Sequence, residues 1–412
     1  MSVSLDRVGQ YITDTINLTA GGVTRDITTF VAQTVIYEDM FSNVLTGYMV
    51  ITDAGDLINK VPIIGTEMIS VAFRTPGMNA VIEKDFYISS LKQREVNQRE
   101  QSYVIHLIGI EGFIDTTIRL SKKFTGRTSD LIERIYKAEL NINKDLYLEE
   151  HTTSTTFVCN YWSPLKAINW LSSHGYRDVP NTLFFESNKA FYCMSIDRLI
   201  KIQQQPYAEY TYTPTASSGP ASDLSQYFNI KSISRIGFFD ALSNQDFGYF
   251  SSNLITHDIV TKEYYEYPFE YSKKRKGQVN MEGTKNFNLY PENVPQDPNN
   301  FRRVKPKSTD LWNNYTDPKY ESWAQMRNSL LYEAQTSRFV IEVHGRTDIE
   351  VGKVIKCNIP KSVAFGGEVT SNQMMDPLLS GKYLITHIRH EFTLGQHTML
   401  MEIMKDSYNL QQ

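Results

Sequence analysis

The run MISVAFRTPG at 68–77 changes face at every residue: Ile69, Val71 and Phe73 point one way, Ser70, Ala72 and Arg74 the other. Period two is the mark of a strand with one buried face, and it rules out a helix there. Its neighbours read the same way. FVAQTVIYEDMF (30–41) and NVLTGYMVITDAGD (43–56) are β-branched runs punctuated by Asp39, Asn43 and a turn at 53–56. VIEKDFYISSLK (81–92) and SYVIHLIGI (102–110) follow, joined by a polar link over 93–101. So many short strands, up to about Gly112, predict a small barrel or sandwich. The chain also closes in strands: RFVIEVHG, GKVIKCNIP, GKYLITHIRHEF and TMLMEIMKD.

Between these ends the period changes. In TSDLIERIYKAEL, Leu131, Ile132, Ile135 and Tyr136 form a helical stripe, with Asp130 as expected N-cap and Glu133 closing a capping box. A second helix is capped by Ser163 and started by Pro164, with Leu165, Ile168 and Leu171 on one face. His174 ends it and Gly175 is expected to supply a left-handed stop. Two strands, TLFFES and AFYCMS, follow, then a small helix or turn at 197–200. The Thr/Ser/Pro-rich stretch 206–225 reads as a linker. Strands resume in FNIKSISRIGFFDAL and FGYFSSNLITHDIV, and 272–320 is polar and proline-punctuated. An amphipathic helix with Trp323, Met326 and Leu330 on one face precedes the closing strands. The fold class expected is mainly β with α+β insertions.

The end of the first β region is similar to the end of the chain. Ile88-Ser89-Ser90-Leu91-Lys92 corresponds to Ile385-Thr386-His387-Ile388-Arg389, and each is followed by a last hydrophobic strand. Either this is an internal repeat of two related β modules, or two amphipathic strands agree by chance.

At 412 residues, two to four domains are expected, and 41% hydrophobic residues suffice for packed cores. A net charge of −4 leaves no basic surplus for dedicated nucleic-acid binding. Cys159, Cys193 and Cys357 are too few and too scattered for a disulfide framework or a CxxC site, as in a reducing cytoplasm. Neither a signal peptide nor an apolar run of bilayer length is seen.

Candidates for chemistry are weak. His387, His390 and His397, with Glu391 beside them, invite a metal, but side chains three apart on a strand leave opposite faces; a strand edge or subunit interface is expected for them instead. Asp53 and Asp56 flank Gly55 in what reads as a turn. Glu67 and Glu83 could in principle face each other across a glycosidase cleft. The basic run from Lys273 to Lys276 follows the aromatic YYEYPFEY, a pattern that can grip single strands but is more simply a solvated loop or a contact for an acidic partner. No nucleophile elbow, P-loop or dinucleotide fingerprint is present. No catalytic, metal or cofactor-binding residue is therefore assigned, no cofactor is expected, and the chain is read as a non-enzyme.

Three segments, in order, resemble a known family. They are IYEDMFSNVLTGYMVITDAGDLINKVPIIGTEMISVAFRTP (36–76), NYWSPLKAINWLSSHGYRDVPNTLFFESNKAFYCMSIDRLI (160–200) and GKYLITHIRHEFTLGQHTMLMEIMKDS (381–407). Together they resemble the central hub protein of contractile phage baseplates, best known from the T-even phages and related to hub and spike proteins of contractile injection systems. The resemblance covers most of the chain outside 263–335. It implies two related antiparallel β-barrel (tube) domains per chain. The first spans 1–115 with an N-terminal strand; the second is split between 227–262 and 336–412. An α+β domain fills 116–226, and a loop-rich, helical insert 263–335. It further implies a homotrimer forming a pseudo-sixfold ring between the sixfold tail tube and the threefold central spike. Partners would be the spike, tube or tube-initiator proteins, the tape measure and the baseplate wedge. DNA would pass the channel without specific binding, in a virion assembled in the host cytoplasm. The rival reading is a tail-associated peptidoglycan or glycan hydrolase.

Overall fold

The computed structural model describes residues 7–61, 63–65, 67–97, 100–212, 224–237, 240–258, 261–275, 280–282, 285–286, 297–306, 320–361 and 375–408. The first quarter of the chain forms β1 (Ile12–Ala20), β2 (Val23–Asp26), β3 (Val31–Asp39), β4 (Thr46–Asp53), β5 (Met68–Arg74), β6 (Val81–Val96) and β7 (Gln101–Gly109). Then come β8 (Lys123–Arg127), β9 (Leu146–Leu148), β10 (Ser154–Val158), β11 (Thr182–Glu186) and β12 (Phe191–Ser195). They are followed by β13 (Glu209–Tyr212), β14 (Asn229–Gly237), β15 (Ser251–His257), β16 (Tyr264–Glu270), β17 (Lys285–Asn286) and β18 (Arg302–Pro306). The last are β19 (Ser337–His344), β20 (Val354–Asn358), β21 (Gly381–Thr393), β22 (Gln396–Lys405) and β23 (Ser407–Tyr408). Helices are α1 (Leu57–Lys60), α2 (Ile110–Thr117), α3 (Thr128–Arg134), α4 (Pro164–His174), α5 (Ile196–Ile202), α6 (Ala241–Asp246), α7 (Tyr271–Lys274) and α8 (Tyr320–Ala334). The protein is mainly β with α insertions.

Thirteen strands form one sheet, and it divides into two groups of six with β2 as an appendage. The first runs β1-β5-β6-β7-β4-β3 in space, the second β13-β20-β21-β22-β19-β14. Numbered by chain order within each group, both read 1-4-5-6-3-2. Two of the irregularities coincide as well. A register shift falls at Ser89 between β6 and β7 and at Thr386 between β21 and β22, the two residues the sequence aligns. Another falls between Val31 and Gln33 on β3 and between Ile230 and Ser232 on β14. Bulges fix register and local twist, so a shared pair of them is a detail chance seldom reproduces.

The groups differ in their first strand. β1 runs antiparallel to β5, whereas β13 runs parallel to both β20 and β14 and so closes the second group into a barrel. In the first group β1 and β3 are linked by the short 3-10 turn Thr28–Phe30 rather than by a described ladder. Each group has its own core, Ile69, Phe86 and Ile105 in the first, Ile341, Ile385 and Met401 in the second.

Two strands leave the places the sequence suggests. The strand Ser251–His257, expected in the second β module, pairs with β16 and β18 in a separate sheet. It is buried on both faces up to Thr256, with the Gln325 amide of α8 on Ser252, so no alternation marks its sheet. Conversely β13 comes from the stretch read as linker, because a four-residue strand ahead of a Thr/Ser/Pro run carries little period. Residues 213–223 of that linker lie outside the described residues, as does most of the 272–320 loop. The expected link 93–101 is strand as far as Val96, its polar side chains exposed on a projecting hairpin.

Ser163 caps α4 as expected, accepting from the Lys166 N–H, with Pro164 following and Leu165, Ile168 and Leu171 buried. Gly175, however, is extended (φ −95°) rather than left-handed. A Cβ there would stand 2.3 Å from the His151 ring and 2.6 Å from Thr128 Oγ1, so close approach, not turn geometry, requires glycine. Asp130 is not an N-cap either. α3 begins at Thr128, which places Asp130 in the first turn, bonded to Arg127.

Candidate functional site

β21 belongs to both groups. Its first half pairs with β20, and its second half, from His387 to Thr393, pairs with β3, from Asp39 to Gln33. Side chains follow the backbone across. Ile385 and Ile388 sit in the second core, while Phe392 stacks on Phe73 in the first, centroids 4.1 Å apart. Met40, just past β3, returns the exchange by entering the second core, and its N–H donates to the Thr386 carbonyl at 2.9 Å. The two groups are thus welded edge to edge by a seven-residue ladder and two interpenetrating side chains.

A buried polar chain runs through this weld. Glu38 Oε1 lies 2.8 Å from His390 Nε2, and His390 Nδ1 lies 3.1 Å from His397 Nε2. Glu38 Oε2 accepts from the Asn188 N–H at 2.8 Å and the Val351 N–H at 3.3 Å. One carboxylate therefore ties β3, the β11–β12 turn and the loop before β20. Burial, and then the neighbouring His390, holds the His397 pKa well below the ordinary imidazole range. His397 is packed so closely that a Cβ on Gly345 would fall 2.0 Å from its ring.

The sequence separates these histidines correctly but misplaces them. His387 does leave on the opposite face, stacking on Tyr37, and Glu391 accepts from Gln33 at 2.6 Å. His390 and His397 are not at an open strand edge or a subunit surface; they are fully buried inside the chain. The signal that could have placed them is the tight turn at Leu394–Gly395, which makes positions 390 and 397 diagonal cross-strand neighbours. Glu38 was legible too, as the charged member of the inward set on β3. Among the described residues no group of three or more His, Cys, Asp or Glu side chains could hold a metal ion.

A second ionic knot anchors the middle segment. Lys144 Nζ lies 2.8 Å from both Glu186 and Glu111, and Lys84 lies 3.7 Å from Glu186. Glu186 also accepts from the Leu45 N–H at 2.9 Å. Burial raises the Glu186 carboxyl and lowers Lys84; for Lys144 burial works downward but the two carboxylates outweigh it. Paired and hydrogen-bonded buried charges of this kind orient parts; losing one partner strands the other. Glu350, which accepts from Ser187 at 2.6 Å, adds a third buried carboxylate at the same hairpin tip.

The remaining candidates are structural. Asp53 accepts from the Gly55 and Ile58 N–H groups, and Asp56 precedes α1 in a left-handed conformation. Glu67 accepts from the Ile64 and Gly65 N–H groups in a turn, and Glu83 is exposed on β6. All three cysteines are buried free thiols. In the basic run Lys273 pairs with Glu270, and Lys276 is outside the described residues. Arg275 finds its acidic partner within the chain, 2.9 Å from Glu333, whose pKa burial raises to about 7. A cleft of about 700 Å³ beside α3 is lined largely by charges already paired, including Arg127 with Asp130 and Lys137 with Glu133.

No family model matches this sequence, and no curated protein sequence does. Solved structures match its fold. The tail protein from Neisseria meningitidis MC58 superposes with a TM-score of 0.55 at 10% identity, over 96% of this chain and 97% of that one. The 43 kDa tail protein of prophage MuSo2 from Shewanella oneidensis gives 0.56 at 9% identity, over 96% and 99%. A chain of the half-lidded Francisella PdpA–VgrG complex gives 0.50 at 10% identity, over 97% of this chain but 58% of that one. The chain shares its fold, nearly end to end, with phage tail proteins.

Proposed function

We propose that this chain is a structural hub of a phage tail baseplate and not an enzyme. Three copies would form a pseudo-sixfold ring around a channel, meeting a sixfold tail tube on one rim and a threefold spike on the other. One observation supports this above the rest: a single chain holds two six-stranded groups of the same strand order, joined edge to edge. A trimer can offer six near-equivalent contacts only if each subunit carries two similar surfaces. The division into tube domains near 1–115 and, split, 227–262 with 336–412 belongs to this reading, with β13 added and β15 removed from the second. The flanking 116–226 segment and the insert would brace the ring and meet the spike. A net charge of −4 suits a channel that passes DNA without holding it.

Images of the purified chain, alone and with a candidate spike, test this. A threefold ring with six similar lobes is expected; a strictly monomeric or dimeric chain in both samples would sink the reading. The VgrG-containing neighbour favours a second context, the equivalent hub of a contractile injection system, with the same ring. A zymogram on peptidoglycan addresses the hydrolase alternative, and no clearing is expected.

A further inference from the structure

The ladder that welds the two groups within one chain has a complementary pair of edges at the chain's two flanks that are bare among the described residues. The shared bulges set the correspondence: Ser89 with Thr386, Ile105 with Met401, Met49 with Ile341, and Thr34 with Ile233. In this correspondence β14 is the counterpart of β3, and the outer half of β6 is the counterpart of the outer half of β21.

Within the chain, β3 and β21 meet antiparallel along that edge. Their counterparts meet nothing there among the described ladders. β6 pairs with β5 only as far as Tyr87, leaving one side of Leu91–Val96 without a strand. β14 pairs with β13 only at Asn229 and Ile230, leaving Ser232–Ser234 likewise. The covered strand β21 buries Ile388, His390 and Phe392, whereas Lys92 through Val96 on β6 are all exposed, Val96 at 69%. One edge offers what the other lacks, and they lie on different strands, so a second copy can add to each end without using up the other.

We propose that β6 of one copy pairs antiparallel with β14 of the next, repeating between chains the β3–β21 weld found within one. This rests on the ring reading above and names its contact. Transferring the internal register sets Glu95 opposite Ser234 and Val96 opposite Ile233, the places taken internally by Glu391 with Val35 and Phe392 with Thr34. Because the two edges differ, the contact is head-to-tail, and a ring forms only if successive steps close. In a trimer three internal and three external welds alternate around six groups.

Directly opposed cross-strand positions have Cβ atoms close enough for a disulfide, and the native cysteines are buried. The double variant Glu95→Cys/Ser234→Cys, mildly oxidised, should give a covalent trimer on a non-reducing gel. Glu83→Cys/Ser234→Cys, with one thiol in the half of β6 already covered by β5, should not. Trimers by light scattering without the cross-link would overturn the edge pairing and leave the ring reading standing. A cross-linked ladder running past three chains would keep the pairing and overturn the trimer. Monomers without cross-links, both alone and with a candidate spike, overturn both. As a second arm, Ser234→Glu sets two carboxylates face to face and should weaken association roughly two- to fivefold per contact. Glu95→Lys added to it should restore association; failure to restore would refute the register.

Discussion

The outer halves of β6 and β21 occupy the same place in their groups, follow the same bulge and each lead into a hairpin, yet one is bare and the other buried. What separates them is a neighbour. β21 has β3 along its edge, and its sequence places His390 and Phe392 inward; β6 has no strand there among the described residues, and its sequence there is Lys92, Gln93, Arg94 and Glu95. Gln93 also takes a left-handed conformation (φ 52°) at a second irregularity that β21 lacks. Charges and bulges are how an edge avoids indiscriminate pairing before its proper partner arrives. The side chains of a strand thus record how long, and in what company, its edge stands alone.

The sharpest way to break this comparison is at the weld itself. Glu38→Ala strands the Asn188 and Val351 N–H groups and leaves His390 Nε2 without its partner, and should cost about 3–5 kcal/mol in urea denaturation. A loss under about 1 kcal/mol would mean the polar chain is incidental. Next comes the matched pair Ile388→Ala and Leu91→Ala. The first empties a fully buried site and should cost about 2–5 kcal/mol. The second touches a half-buried one and should cost under about 1 kcal/mol in the monomer. Equal losses would erase the distinction between covered and bare edges.

Acid should separate the same two hairpins. His397 faces His390 and, through it, Glu38; the corresponding position on β7 is Gln101, which does not titrate. With the folded pKa of His397 lowered by burial, the unfolded chain binds the proton first. Its stabilising contribution is complete above pH 6.5 and falls, as pH drops below that, by about 1.4 kcal/mol per unit. His344, opposite Thr398, is lowered by burial to about 4 and adds the same sign. Hydrogen exchange should therefore show β21–β22 losing protection between pH 6.5 and 4 while β6–β7 changes less. A modest effect is expected in the segment serving neither group alone: Ser163→Ala removes the α4 cap and should cost about 1 kcal/mol, read as a shift in the urea midpoint.

Much of this was legible in the sequence, and the lapses have physical causes. Period-two patterns located β3 to β7 and β19 to β22 because each has one dry face. Ser89 and Thr386, paired by the sequence alignment, both sit at a bulge, which the alignment itself did not read. β15 gave no such cue, being buried on both sides. The turn at Leu394–Gly395 and the inward set on β3 carried local cues to the histidine pair and to Glu38, but the contacts that join Glu38 to His390 and Glu186 to Leu45, 352 and 141 residues apart in the chain, leave no local trace. Gly175 was read as a turn when its role is to admit the His151 ring.

The route from β14 to β19 sets a timetable for how the molecule assembles itself. In the first group β3 reaches β4 across a short turn, a closure made in microseconds. The corresponding pair in the second group joins Ser232 to Glu342, positions 110 residues apart, with β15, β16, β18 and α8 strung between. Loop-closure entropy rises only slowly with length, but it must be met before the distant ladder returns anything. The first group, complete by Gly109, can form while later residues are still being synthesised. The second must wait for the last strands of the chain. Until then β3 stands in the growing molecule with its outer edge uncovered, and the closing hairpin that finishes the second barrel is the same one that seals the first.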